Sequence, residues 1–165
     1  NKTLNPSKIL FVCTHNVFRS LSAHQLMKKY LDDNQIKNFE VDSCGTIANF
    51  CQFPDPHVFE TLNKKGINIK HYNNKKLNQK LVDESKFIIC FTNEHKEFIT
   101  KFFNIKSYLF NELSIGKLVD VEDECDDDIS FEEFIENVIN YIEENLPNLL
   151  TGIKKLDNLD VDKNN

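Results

Sequence analysis

Apolar and polar positions along this chain change period in a way that predicts alternating strands and helices. Ile9, Leu10, Phe11 and Val12 form a continuous apolar run, so Lys8–Val12 reads as a strand covered on both faces of a parallel sheet. After Ser20 the period becomes helical, with Leu21, Leu26, Met27, Tyr30 and Leu31 marking one face of a helix over Ser20–Leu31. Phe39–Ser43 alternates as a second strand, and residues 47–56, with Pro54 and Pro56, read as an irregular loop. His57–Lys65 predicts a helix stopped by Gly66, followed by a basic connection carrying Lys70, His71, Lys75, Lys76 and Lys80. Lys86–Phe91 is the next buried strand, Asn93 is the expected cap of a helix over Glu94–Phe103, and Ser107–Phe110 is a short fourth strand. An acidic loop, Asp120–Asp128, leads to Ser130 as the expected cap of a long helix marked by Phe131, Phe134, Ile135, Val138, Ile139, Ile142 and Leu146. This alternation predicts an α/β sandwich with a parallel sheet flanked by helices. A domain over residues 8–150 is expected, with a flexible leader at 1–7 and a polar, mobile tail at 151–165.

At 165 residues and 40% hydrophobic content the chain fits one domain with one core. A net charge of −6 argues against a general nucleic-acid binder. No apolar run approaches the roughly 18 residues of a membrane span, and the first residues lack the apolar stretch of a signal peptide. The cysteines at 13, 44, 51, 90 and 125 are scattered and odd in number, which argues against a disulfide framework and a zinc site and fits a reducing cytoplasm. No metal, cofactor or membrane partner is expected, and the chain is expected to be a monomer.

Chemistry concentrates between the first strand and the first helix, in Cys13-Thr14-His15-Asn16-Val17-Phe18-Arg19-Ser20. A thiol stands there at the carboxyl end of a strand, where a loop opens a helix. Unpaired N–H groups at a helix N-terminus attract anions and favour a thiolate on Cys13. Arg19 adds a planar fork able to hold two oxygens of one phosphoryl group. A nucleophilic cysteine, an amide cradle (residues 14–19) and an arginine are the parts of a phosphatase that works through a cysteinyl-phosphate intermediate.

This loop resembles that of the low-molecular-weight protein tyrosine phosphatases, a family that also holds protein arginine phosphatases and thiol-coupled arsenate reductases. Its pattern is roughly C-x-G-N-x-C-R-S-P. Cys13, Asn16, Arg19 and Ser20 match, whereas His15, Phe18 and Leu21 stand where Gly, Cys and Pro are usual. The resemblance implies a four-stranded parallel sheet of order 2-1-3-4. It also implies a phosphate site at Thr14, His15, Asn16, Val17, Phe18 and Arg19, and a general acid from a D-P-Y sequence before the last helix. Counting back from Phe131 selects Asp123, with Asp120, Asp126, Asp127 and Asp128 as rivals. By the same resemblance Ser20 bonds the cysteine sulfur, while Asn16, Ser43 and His71 support the loop. Ser20 could equally be a plain helix cap, Asn16 a residue chosen for a left-handed turn, and His71 a surface histidine. Phe50 or Phe53 would wall the pocket. Thr92 replaces a family Asp, and His15 would have to adopt the backbone geometry of the usual glycine. Phe18 removes the second cysteine that protects many members from peroxide, leaving Cys44, Cys51, Cys90 or Cys125 for that task.

The function expected is hydrolysis of protein phosphotyrosine or a small aryl phosphate. Val17 stands at a loop position where Thr goes with arginine phosphatases, and it offers methyls in place of a hydroxyl. Arsenate reduction or phosphoarginine hydrolysis on the same scaffold are the enzymatic alternatives. A weakly catalytic phosphoprotein-binding module is the alternative from another class.

Overall fold

The computed structural model describes residues 5–122 and 124–164. Four strands, β1 (Ser7–Cys13), β2 (Phe39–Gly45), β3 (Phe87–Cys90) and β4 (Tyr108–Leu109), form one sheet of order β2-β1-β3-β4 in which every pairing is parallel. Seven helices follow the chain among the described residues: α1 (Arg19–Asp33), α2 (Pro56–Lys64), α3 (Gln79–Glu84), α4 (Asn93–Phe103), α5 (Phe110–Ile115), α6 (Phe131–Glu144) and α7 (Leu146–Asn164). The expected three-layer α/β architecture and strand order are both present.

β1 is central, and its apolar run is buried on both faces. Ile9, Phe11 and Cys13 point into a large core shared with α1, α2, α6 and α7. Leu10 and Val12 point into a smaller core with Cys44, Leu81, Val82, Cys90 and Ile99. Period-two alternation thus places Cys13 and Cys44 on opposite faces of the sheet. Phe91 bridges two rings of the large core, lying 6.2 Å from Phe11 and 5.7 Å from Phe110. Such aromatic pairs add packing energy beyond their buried area.

Several elements depart from the sequence pattern. Residues 152–164, which the pattern places in a polar tail, lie in α7, whose Leu149, Leu150 and Ile153 are buried beside α5. Gly152 makes that approach possible: a Cβ there would lie 2.2 Å from the Leu113 carbonyl oxygen. Strand β1 begins at Ser7, inside the expected leader. The cap of α4 is Thr92 rather than Asn93, since the Thr92 side chain accepts the His95 N–H. Ser130 caps α6 as expected, accepting from Glu133 N–H at 3.1 Å. Helices α3 and α5 are too short to register as periodic patterns. Asn78 caps the first of these, and its Leu81 and Val82 fill the smaller core.

Candidate active site

Cys13 ends β1 and is almost wholly buried, with its side chain on the face covered by α1 and α6. The chain turns through residues 14–18 and enters α1 at Arg19. Phe18 occupies the cap position and makes no side-chain cap bond, so Ser20 is not the helix cap. Ser20 instead turns inward, 2.9 Å from the Cys13 sulfur, while its oxygen accepts a 2.8 Å hydrogen bond from Asn16 Nδ2. With Asn16 on one lone pair, the Ser20 hydroxyl still has its own hydrogen to offer a thiolate at Cys13. A donor aimed at sulfur favours the thiolate.

Asn16 is the keystone of the turn. Its φ of 59° places it, and not His15, in the left-handed region. Asparagine tolerates that region through short local hydrogen bonds, so the loop needs no glycine. The Asn16 side chain accepts Lys75 N–H at 3.0 Å, and its carbonyl accepts the Tyr72 hydroxyl at 2.6 Å. Asn16 thus combines a left-handed backbone with hydrogen bonds to residues 72 and 75.

A glycine is required elsewhere, at Gly45. A Cβ there would meet the Thr14 carbonyl oxygen at 2.5 Å and Asn16 N at 2.8 Å. This approach lets Thr46 N–H reach the Cys13 carbonyl at 2.8 Å and Ile47 N–H reach the Thr14 carbonyl at 3.0 Å.

Supporting residues differ in part from those expected. Ser43 is buried and in place, 2.8 Å from His24 Nδ1 and within hydrogen-bonding reach of Tyr72. His71 is exposed, and among the described residues no hydrogen bond joins it to the loop. Its neighbour Tyr72 takes that role, with burial pushing the phenol pKa up and keeping it a donor. Burial lowers the pKa of His24 to about 4, partly offset by Asp42, so the ring is neutral at pH 7. Asp42 is itself held low: burial raises it, but the Lys75 ammonium and Ser43 N–H outweigh that effect.

On the opposite side stands His95, which sequence pattern did not single out. Its Nδ1 accepts N–H groups from Phe91 at 3.3 Å and Thr92 at 3.2 Å, so its proton lies on Nε2, 2.8 Å from Thr14 Oγ1. Burial, helped by the Arg19 charge, lowers its pKa to about 3 and keeps it neutral. Thr92, standing where a family Asp was expected, thus reaches the site through the cap that orients His95.

Arg19 is buried, and its Nη1 donates to the Val121 carbonyl at 2.8 Å. Val121 N–H in turn donates to the Phe91 carbonyl at 2.7 Å. These bonds pin the start of the acidic loop beside Cys13. Asp120 accepts Asn93 N–H at 2.8 Å, which commits one of its carboxylate oxygens to α4. Asp126, Asp127 and Asp128 are exposed. Asp123, the expected acid, lies outside the described residues.

Two depressions border the cysteine loop. One, of about 230 Å³, is lined by Val17, Phe18, Phe53, Val58, Phe131 and Phe134. Phe18 packs 6.0 Å from Phe134, so a ring fills the place of the family's second cysteine. The other, of about 280 Å³, joins Thr14, Arg19 and His95 to Glu94, Glu122 and Glu124. Phe53 therefore reaches the apolar wall, whereas Phe50 is 86% exposed. Cys90 is buried against Ser107 and the Tyr108 carbonyl, and burial raises its thiol to about 11. Among the described residues no cluster of His, Cys, Asp or Glu could hold a metal ion.

This arrangement agrees with a family profile. The profile of the low molecular weight phosphotyrosine protein phosphatases matches residues 8–159.

The chain belongs to that family.

A protein-arginine-phosphatase of Bacillus subtilis is 30% identical over 109 residues, spanning 61% of this chain and 71% of the relative. The low molecular weight phosphotyrosine protein phosphatase of Schizosaccharomyces pombe is 37% identical over 67 residues, spanning 39% of this chain and 43% of that one. Among solved structures, a mutant of YwlE from Bacillus subtilis superposes with a TM-score of 0.78 at 26% identity, covering 90% of this chain and 99% of that one. Membership places the chain among protein phosphatases, and no helix among its described residues is long and apolar enough to cross a membrane.

Proposed function

We propose that this phosphatase hydrolyses phosphotyrosine in proteins through a cysteinyl-phosphate intermediate. The observation that carries the reading is the Ser20 hydroxyl, held by Asn16 at 2.9 Å from the Cys13 sulfur. The Cys13 thiolate attacks phosphorus, forming an S–P bond as the P–O bond to the side chain breaks. Asp123 delivers a proton to the departing phenolate oxygen. Loop amides from Thr14 to Arg19, with the Arg19 guanidinium, hold the equatorial oxygens and supply the charge stabilisation without a metal. Asp123 then takes a proton from water as that water attacks phosphorus, the S–P bond breaks, and Cys13 returns to the thiolate that Ser20 stabilises. The chain acts in this reading as a cytoplasmic monomer.

Phosphotyrosine is preferred because Val17 lines an apolar depression with Phe53 and Phe131. Its methyls suit a phenyl ring and cannot hydrogen-bond a guanidinium. A second reading, phosphoarginine, has support from Glu94, Glu122 and Glu124 beside Arg19, which would attract a cation, and from the relatives bearing that name. Those carboxylates are exposed, where an ion pair contributes at most about 1 kcal/mol. Turnover of an aryl phosphate, lost in Cys13→Ser, tests the phosphatase chemistry. Competing a phosphotyrosine peptide against a phosphoarginine peptide tests the side chain, and a higher kcat/KM for phosphoarginine overturns the preference.

A further inference from the structure

Residues 47–55 run from β2 to α2 beside the cysteine loop and carry two large apolar side chains in solvent, Phe50 at 86% and Phe53 at 75% exposed. A loose loop would fold such rings inward. This one is held by a specific set of bonds. Asn49 N–H donates to Gln52 Oε1 at 3.1 Å, Cys51 N–H donates to Asn49 Oδ1 at 2.9 Å, and Gln52 N–H donates to the Asn49 carbonyl at 3.2 Å. The folded tip is then fastened to the cysteine loop through His15. Gln52 Nε2 lies 2.6 Å from His15 Nδ1, and Asn74 Nδ2 donates to both the His15 carbonyl at 3.1 Å and the Asn49 carbonyl at 2.7 Å.

The chemistry of the Gln52 contact has one consistent assignment. Gln52 Oε1 must face Asn49 N–H, because a rotated amide would oppose two donors. Its NH₂ group therefore donates to His15, so Nδ1 accepts and the ring proton resides on Nε2. A glycine, which the family resemblance leads one to expect at position 15, offers no side chain to fasten.

We propose that Gln52 and Asn74 are positioning residues that latch the Phe50–Phe53 tip to the cysteine loop through His15, so that this tip receives apolar residues flanking the phosphorylated side chain of a protein substrate. The latch rests on the phosphatase reading above. Its occupant follows from continuity with the site. Phe53 shares an apolar depression with Val17 of the cysteine loop, and Phe50 lies further out on the same tip. A substrate side chain reaching Cys13 brings its own flanking residues against that rim.

The test compares phenyl phosphate with a phosphotyrosine peptide carrying leucines on both sides. Gln52→Ala should raise KM for the peptide roughly 5- to 20-fold, with kcat for the peptide and both constants for phenyl phosphate changed less than about twofold. Phe50→Ser should raise the peptide KM likewise, and the two changes together should not add, because both remove one contact. Nitrogen-15 chemical shifts should show His15 in the Nε2–H tautomer, and Gln52→Ala should admit the other tautomer. An unchanged peptide KM, an equal loss on phenyl phosphate, or an Nδ1–H tautomer in the unaltered protein overturns the latch. Failure of the unaltered protein to hydrolyse either ester would count against the phosphatase reading, leaving the tautomer measurement to decide the latch.

Discussion

His95 donates its Nε2–H to the Thr14 hydroxyl across 2.8 Å, linking the start of α4 to the residue that follows the candidate nucleophile. On the other side of the ring Nδ1 accepts from Phe91 and Thr92, which requires neutral imidazole. Burial lowers the folded-state pKa to about 3, whereas the unfolded chain takes up a proton near pH 6.5. The contribution is therefore fully present above about pH 6.5 and is lost as pH falls toward 3. At pH 4.5 the loss amounts to about 2–3 kcal/mol. Urea unfolding at pH 7 and 4.5 should show a larger drop for the unaltered protein than for His95→Gln. Equal drops would mean that His95 titrates normally.

Ser20→Ala removes the donor to sulfur and leaves Asn16 Nδ2 without its acceptor. A hydrogen bond to a charged group contributes about 1.5–3 kcal/mol, so turnover should fall roughly 10- to 100-fold. In the unaltered protein iodoacetamide at pH 6 should label Cys13 ahead of the other cysteines, and phosphate should protect it. Uniform labelling would remove Cys13 from the role assigned to it.

Arg19→Lys should nearly abolish turnover, because an ammonium cannot both hold the Val121 carbonyl and present a planar fork to phosphate. Steady-state rates on phenyl phosphate measure this, and retention of more than a tenth of the activity would contradict it.

Asp123→Asn should slow phenyl phosphate hydrolysis by roughly 10²–10⁴-fold, with a smaller effect on nitrophenyl phosphate, whose leaving group hardly needs a proton. Asp120→Asn should leave that leaving-group dependence intact, since Asp120 serves Asn93 at the start of α4. Should Asp126→Asn reproduce the pattern instead, the acid is misassigned.

Peroxide should inactivate the protein without forming a Cys13–Cys44 disulfide. The two side chains lie on opposite faces of the sheet although their residues are adjacent in the β1–β2 register. Peptide mapping after oxidation checks this, and a Cys13–Cys44 crosslink would require the sheet to be read differently.

The sequence carried the sheet, the cysteine loop and α6 plainly, because each rests on a strong local pattern: a wholly apolar run at Ile9–Val12, a cysteine and arginine at fixed spacing, and an apolar stripe behind Ser130. Its supporting residues were harder to read. Tyr72, His95, Gln52 and Asn74 act on the loop from 37 to 81 residues away, and nothing in their own neighbourhoods announces that contact. The resemblance points to His71, one position from Tyr72, whose hydroxyl reaches the Asn16 carbonyl. Helix α7 repeats apolar residues at helical spacing, Leu146, Leu149, Leu150, Ile153 and Leu156, but Pro147 and Gly152 interrupt the pattern and obscure it.

The close approach at Gly45 also bears on how the site comes into being. The cysteine loop takes its shape from strands and connections brought in by β2, by residues 72–75 and by the start of α4, each distant along the chain. Local segments can collapse early, but loop closures of this span come late and slowly during folding. A nascent or partly folded chain therefore holds Cys13, Arg19 and Ser20 close along the sequence but without the distant groups that give their loop its shape. Chemical competence arrives with the last long-range closure, so the rate at which activity appears during refolding reports completion of the fold itself.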